Sequence, residues 1–180
     1  MLRMALRCAG GQGLLGVVAK RFNSSSVLDT LRRRGFIANM TEPDAFQKHL
    51  ESPRTVYCGF DPTADSLHAG NLLMLMTLAH FQRAGHRAIA LVGGATGLIG
   101  DPSGRATERP LLAAETVARN VEGIRATLHR FFEGQGQRVE IVNNLDWYSG
   151  MPLLTFLRDA GKHFRLGAML AREAVQARLN

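Results

Sequence analysis

The chain has 180 residues, 46% of them apolar, and sets 22 basic against 15 acidic residues for a formal charge of +7. That length can bury one core and is short for a multidomain enzyme. Cys8 and Cys58 lie in different regions without metal-ligand spacing, which argues against a disulfide framework and a zinc site, and no apolar run approaches the roughly 20 residues of a membrane span.

The charge excess is uneven. Before Asp29 stand Arg3, Arg7, Lys20 and Arg21 with no acid, and without them the balance is 18 against 15. Spaced cations, interspersed Leu2, Leu6, Leu14 and Leu15, and Ser24-Ser25-Ser26 give residues 1–28 the composition of a mitochondrial transit peptide, with a disordered basic tail as the alternative. The reading predicts a matrix destination for the body, residues 29–180. A secretory signal fits less well, because Gly10, Gly11, Gly13 and Gly16 interrupt the apolar stretch.

In the body, Val27 to Arg34 reads as a short helix stopped by Gly35, and Thr41-Glu42-Pro43-Asp44 starts a second, with Thr41 as its cap. Thr55 to Phe60 is strand-like, and Asp61-Pro62 must break it because proline has no amide for a sheet ladder. Asp65 or Ser66 can cap the helix that follows, which runs to Ala84 with Gly85 as its stop. Leu72, Leu73, Met74, Leu75, Met76 and Phe81 make this helix apolar on nearly every side, so it is expected to be central. His68, Gly70 and Asn71 fall at its head, where unpaired amides and partial positive charge favour a phosphate; Gly70, lacking a Cβ, leaves room for a flat ligand.

Ala88 to Val92 is a second strand, and strand, helix and strand in this order make a right-handed parallel crossover. The Gly93 to Gly104 loop therefore falls at the carboxyl edge of the sheet, where open α/β folds bind ligands. Pro110 opens an amphipathic helix with Val117, Val121, Ile124, Leu128 and Phe131 on one face; Gly134 and Gly136 end it, and Val139 to Val142 is a third strand. Helices near Pro152 to Ala160 and Gly167 to Leu179 complete the chain. The expected fold is α/β, a Rossmann-like parallel sheet flanked by helices.

Two chemistries compete for the glycine loop. Gly94-Ala95-Thr96-Gly97-Leu98-Ile99-Gly100 satisfies the GxxGxxG pattern of short-chain dehydrogenases. Such a fingerprint must open a helix that receives a pyrophosphate, whereas Asp101-Pro102-Ser103-Gly104 predicts continued loop. Nor does either tyrosine have a lysine four residues on: Asp61 follows Tyr57 and Pro152 follows Tyr148 at that spacing. Asp101 then reads as an anionic anchor for a substrate ammonium, with a turn-capping role as the alternative.

Three stretches carry a resemblance: Tyr57-Cys58-Gly59-Phe60-Asp61-Pro62-Thr63-Ala64-Asp65-Ser66-Leu67-His68, then Gln82-Arg83-Ala84-Gly85-His86, then Leu91 through Gly104. They resemble the first half of the catalytic domain of class I aminoacyl-tRNA synthetases, specifically the bacterial-type tyrosyl-tRNA synthetases. Weaker likeness continues through Asn143-Asn144, Trp147 and Phe156-Leu157-Arg158-Asp159 to Gln176.

The resemblance implies a tyrosine–tRNA ligase using ATP with Mg2+, L-tyrosine and tRNA(Tyr), acting as a homodimer without a membrane. By that likeness Thr63 and His68 contact the departing phosphates; Cys58, Gly59 and Asn71 lie beside the ribose, with Gly70 in the ATP site; and Asp61 borders both substrates. Tyr57, Asp61, Thr96 and Asp101 bind tyrosine, and Arg105 and Arg109 clamp pyrophosphate. Asn71 departs from the family's usual second histidine. The sequence stops before the second half of such a fold, so a truncated, non-catalytic or dimerising remnant stands as the alternative to an active ligase.

Overall fold

In the computed structural model, which describes residues 24–100, 111–172 and 175–176, helices and strands alternate. Helices α1 (Ser24–Arg33) and α2 (Pro43–His49) precede strand β1 (Thr55–Phe60). Helix α3 (Ala69–Arg83) leads to β2 (Arg87–Val92), and α4 (Gly94–Ile99) and α5 (Ala114–Glu133) lead to β3 (Glu140–Asn143). Short helices α6 (Leu145–Tyr148), α7 (Leu153–Asp159) and α8 (Leu166–Leu170) follow. The three strands are parallel in the order β1-β2-β3, with Thr55 paired to Arg87 and Ala90 to Ile141. Parallel neighbours need a crossover, and α3 and α5 supply the two.

Side chains alternate along each strand. Val56, Cys58 and Phe60 on β1 and Ala88, Ala90 and Val92 on β2 are buried, whereas Tyr57, Ile89 and Leu91 on the opposite face are half-buried. The core adds Leu28 and Leu31 from α1, Leu78 and Phe81 from α3, and Val117, Ile124 and Leu128 from α5. On α5 Val117, Val121, Ile124 and Leu128 fall at the helical spacing read from the sequence, but the stripe ends on the buried Phe132, with Phe131 only half-buried.

Element boundaries differ in informative ways. Helix α2 is preceded by Glu42 at φ 47°, with no side-chain cap, so Thr41 is not its cap. Proline bars the residue before it from the right-handed helical region, which places the boundary at Pro43. Helix α3 is central only past its first turn: Thr77, Leu78, Ala79 and Phe81 are buried, but Leu72 and Leu73 are 45% and 51% exposed. Gly35 and Gly85 have φ of 70° and 93°, the left-handed conformation that lets glycine end a helix. Pro110 lies outside the described residues, and α5 begins at Ala114.

His86 follows the Gly85 turn and is 3% exposed. Its Nδ1 accepts the Arg54 amide proton at 3.2 Å, and its ring meets Phe81 edge-on at 5.6 Å. Burial first, then the charges of Arg54 and His49, push its pKa down from 6.5 to about 4. Between those values the unfolded chain takes up a proton here that the folded chain refuses, so stability is full above 6.5, falls through the window and levels off below 4. Urea titrations across that range are expected to show this loss, and His86→Phe to flatten it; an unchanged slope would remove His86 as its source.

Candidate functional site

The carboxyl ends of β1 and β2 and the head of α3 converge on one rim. Beyond Phe60 the chain turns at Asp61-Pro62, where the Thr63 amide donates to the Asp61 carbonyl at 2.9 Å, and it stays exposed from Thr63 to Ser66. The sequence put a cap for α3 at Asp65 or Ser66, but the cap is His68. Its Nδ1 accepts the Gly70 amide proton at 3.0 Å, and its own amide donates to Asn71 Oδ1 at 3.1 Å. This reciprocal pair satisfies donors that a helix start otherwise leaves open. A Cβ on Gly70 would lie 2.9 Å from His68 Cε1, so this glycine lets the imidazole pack over the first turn.

The glycine segment is also not the continuous loop the sequence predicts, because Gly94–Ile99 is helix α4, ended by Gly100 at φ 75°. Gly97 donates to the Gly93 carbonyl at 2.8 Å. Small residues and the buried supports beneath them make one helical turn possible despite the propensity cost of glycine. Its first amides are already occupied: Gly94 donates to Asn143 Oδ1 at 3.1 Å and Ala95 to Asn144 Oδ1 at 2.6 Å. A dinucleotide fingerprint would leave these donors for a pyrophosphate, so the helix does not serve that reading. From the sequence these two asparagines carry only a weak likeness; their signal is the placement of two adjacent amide side chains at the end of a strand.

Asp61 and Thr96 meet between these elements. Thr96 Oγ1 lies 3.2 Å from Asp61 Oδ1 and 2.9 Å from the Gly93 carbonyl, and its single proton serves one acceptor at a time. Gly93 is needed at this point, since a Cβ there would collide with Thr96 Oγ1 and lie 2.7 Å from Asp61 Oδ1. Tyr57 sits on the half-buried sheet face. Gly59 is exposed, with no described atom within 4 Å of where a Cβ would stand. Thus Tyr57, Gly59, Asp61, Thr63, His68, Gly70, Asn71 and Thr96 are carried by the rim formed by β1, its loop, α3 and α4. Asp101, Arg105 and Arg109 lie outside the described residues.

Cys58 lies on the buried face of β1. It is 6% exposed, with Sγ 3.6 Å from Met74 Sδ. Burial raises its pKa to about 11, partly offset by its contact with the Gly59 carbonyl. The thiolate is the nucleophile, so iodoacetamide at neutral pH is expected to modify Cys58 slowly in the native chain and readily in urea, followed by peptide mass in a Cys8→Ser background. Equal rates would mean that the β1 core opens freely.

No group of three or more His, Cys, Asp or Glu among the described residues could cage a metal ion. A Mg2+ arriving with a nucleotide would need no such cage, since it is usually held by phosphate oxygens, waters and one or two carboxylates. No helix among the described residues is long and apolar enough to cross a membrane.

A family model described as tRNA synthetases class I (W and Y) matches residues 47–180. The tyrosine–tRNA ligase of Bacillus caldotenax is 53% identical over 156 residues, 85% of this chain and 37% of that protein. The tyrosine–tRNA ligase of Desulfitobacterium hafniense (strain DSM 10664 / DCB-2) is 50% identical over 157 residues, 86% of this chain and 37% of that protein. Among solved structures, a C-terminally truncated Aspergillus nidulans mitochondrial tyrosyl-tRNA synthetase superposes with a TM-score of 0.74 at 32% identity, covering 85% of this chain and 47% of that one. The chain therefore spans about 37% of the length of these curated relatives.

Proposed function

The chain belongs to the class I tRNA synthetases of the W and Y family, and from that premise we propose that it supplies the nucleotide-facing half of a tyrosine–tRNA ligase. The observation that carries the reading is the junction of the His68 cap with the Asp61–Thr96 pair on one sheet rim. In the proposed reaction an oxygen of the tyrosine carboxylate attacks the α-phosphorus of ATP. The bond from that phosphorus to the bridging oxygen breaks, and pyrophosphate leaves with the electron pair. No protein nucleophile is required. The residues must align the reactants and aim donors at charge developing on phosphate oxygens.

In this assignment Thr63, His68 and Asn71 face the nucleotide, Cys58, Gly59 and Gly70 border it, and Arg105 and Arg109 grip the departing pyrophosphate through forked guanidinium donors. Asp61, Thr96 and Asp101 hold tyrosine, with Tyr57 donating to or accepting from its phenol. Such a hydroxyl partner selects tyrosine over phenylalanine because the smaller analogue leaves it unpaired. Mg2+ accompanies ATP and offsets its phosphate charge. The acyl group then passes to tRNA(Tyr), in a homodimer, in the mitochondrial matrix that residues 1–28 address.

A second reading, an associating chain without catalysis, is favoured by exposed apolar side chains after β3: Leu153, Leu154 and Leu166 are 69%, 78% and 69% exposed. Tyrosine-dependent exchange of labelled pyrophosphate into ATP, run beside sedimentation, separates the two. Exchange above background that requires tyrosine would support the ligase reading for these residues. Its absence in a folded, self-associated chain would replace the ligase reading for these residues with the second one.

A further inference from the structure

Helix α5 buries an apolar stripe, yet Asn120 sits on it at 7% exposure, next to Val117, Val121 and Ile124. A buried amide is costly unless bonded. Here Asn120 Nδ2 donates to the Pro62 carbonyl at 3.0 Å, in the loop that joins β1 to α3. One turn on, the same face carries Gly123. A Cβ there would run into the carbonyl oxygen of Asp65 and stand 2.9 Å from its carbon, so Asp65 lies directly on the helix surface. Pro62 is itself buried, and a Cβ on Gly97 would stand 2.9 Å from its Cγ and 3.2 Å from Val117 Cγ1. Two carbonyls of an otherwise exposed loop thus rest on two points of α5, on either side of Thr63 and ahead of His68.

From these contacts we infer that α5 is the platform that sets the height of the β1–α3 loop, with Asn120 and Gly123 as positioning residues for Thr63 and His68. Asn120 grips by a donated hydrogen bond and Gly123 by the absence of a side chain. The two act on different residues of the loop and are independent. That the held segment serves a nucleotide rests on the proposed ligase reading; that it is held does not.

Hydrogen exchange followed by mass spectrometry on the 180-residue chain tests this. Asn120→Asp keeps the size of the side chain but turns an acceptor toward the Pro62 carbonyl. It is expected to speed exchange across residues 61–70 by about tenfold while residues 87–92 of β2 stay unchanged, since local opening is separable from global unfolding. Gly123→Ala should give the same local pattern, and Ala126→Gly, at an exposed position of the same helix, should not. Where Gly123→Ala does not fold, Asn120→Asp decides alone. MgATP should slow exchange at residues 63–71 of the parent chain, and about tenfold more of it should be needed in Asn120→Asp. Exchange at 61–70 within about twofold of the parent, or a rise shared equally by 87–92, would overturn the inference. Absence of MgATP protection in the parent would count against the nucleotide reading, while the comparison of 61–70 with 87–92 still decides whether α5 holds the loop.

Discussion

On the proposed ligase reading, replacing His68 with alanine in a full-length ligase is expected to slow tyrosine-dependent pyrophosphate exchange by about 10²–10³, or roughly 2.7–4 kcal/mol of transition-state stabilisation, the usual cost of losing one preorganised donor. The ring stands at the head of α3 beside the loop that α5 supports, and its Nδ1 is engaged with Gly70. Alanine removes that cap as well, at about 1 kcal/mol of stability. The two losses are separable with His68→Asn, because asparagine is among the best N-cap residues but does not reach as far as an imidazole. His68→Asn should therefore melt with the parent chain and still exchange slowly. An exchange rate in His68→Asn equal to that of the parent would reduce His68 to a cap. A fall in rate accompanied by an unchanged apparent affinity for ATP would mark an interaction made in the transition state.

Phe81→Ala is expected to cost about 3–5 kcal/mol, the range for deleting a fully buried aromatic ring. Phe81 is 0% exposed, in the last turns of α3, and makes two contacts with His86. Its carbonyl accepts the His86 amide at 3.0 Å, and its ring meets the His86 imidazole. Removing it both opens a cavity and lets water approach His86. The loss should appear as a drop of roughly 6–20 °C in melting temperature, from about 2–4 °C per kcal/mol in a chain of this size. Water at His86 should also restore part of its proton affinity, so the acid loss of stability should start from a lower plateau and become shallower. A melting temperature within about 2 °C of the parent would mean that the core closes over the gap.

The parallel α/β layout was legible because its signals are long and mutually consistent. Thr55–Phe60 has the composition and length of a buried strand, Gly35 and Gly85 end helices where positive φ is needed, and α5 shows its stripe from Val117 to Leu128. The start of α3 was less legible. Asp65 and Ser66 are good capping residues by type, but Asp65 is seated on Gly123, a contact some 58 positions away by the matching Pro62–Asn120 bond, and no local rule records it. The turn of α4 was hidden for a related reason. Glycine-rich segments disfavour helix in isolation, and the amide side chains that stabilise this one arrive from the end of β3 and the residue after it, 49 residues later. Thr96 and Asp61 stand out separately in the sequence, but nothing local in it records their contact across 35 residues.

The bond between His68 and Gly70 also settles where a proton can reside. A ring nitrogen that accepts an amide hydrogen must be the bare one, so the neutral imidazole carries its hydrogen on Nε2, directed away from the helix it caps. The fold thereby selects a single tautomer. Held in this way, the ring offers its other nitrogen as a donor toward whatever lies beyond the rim. The same contact that starts the helix thus decides which ring nitrogen can face outward as a donor.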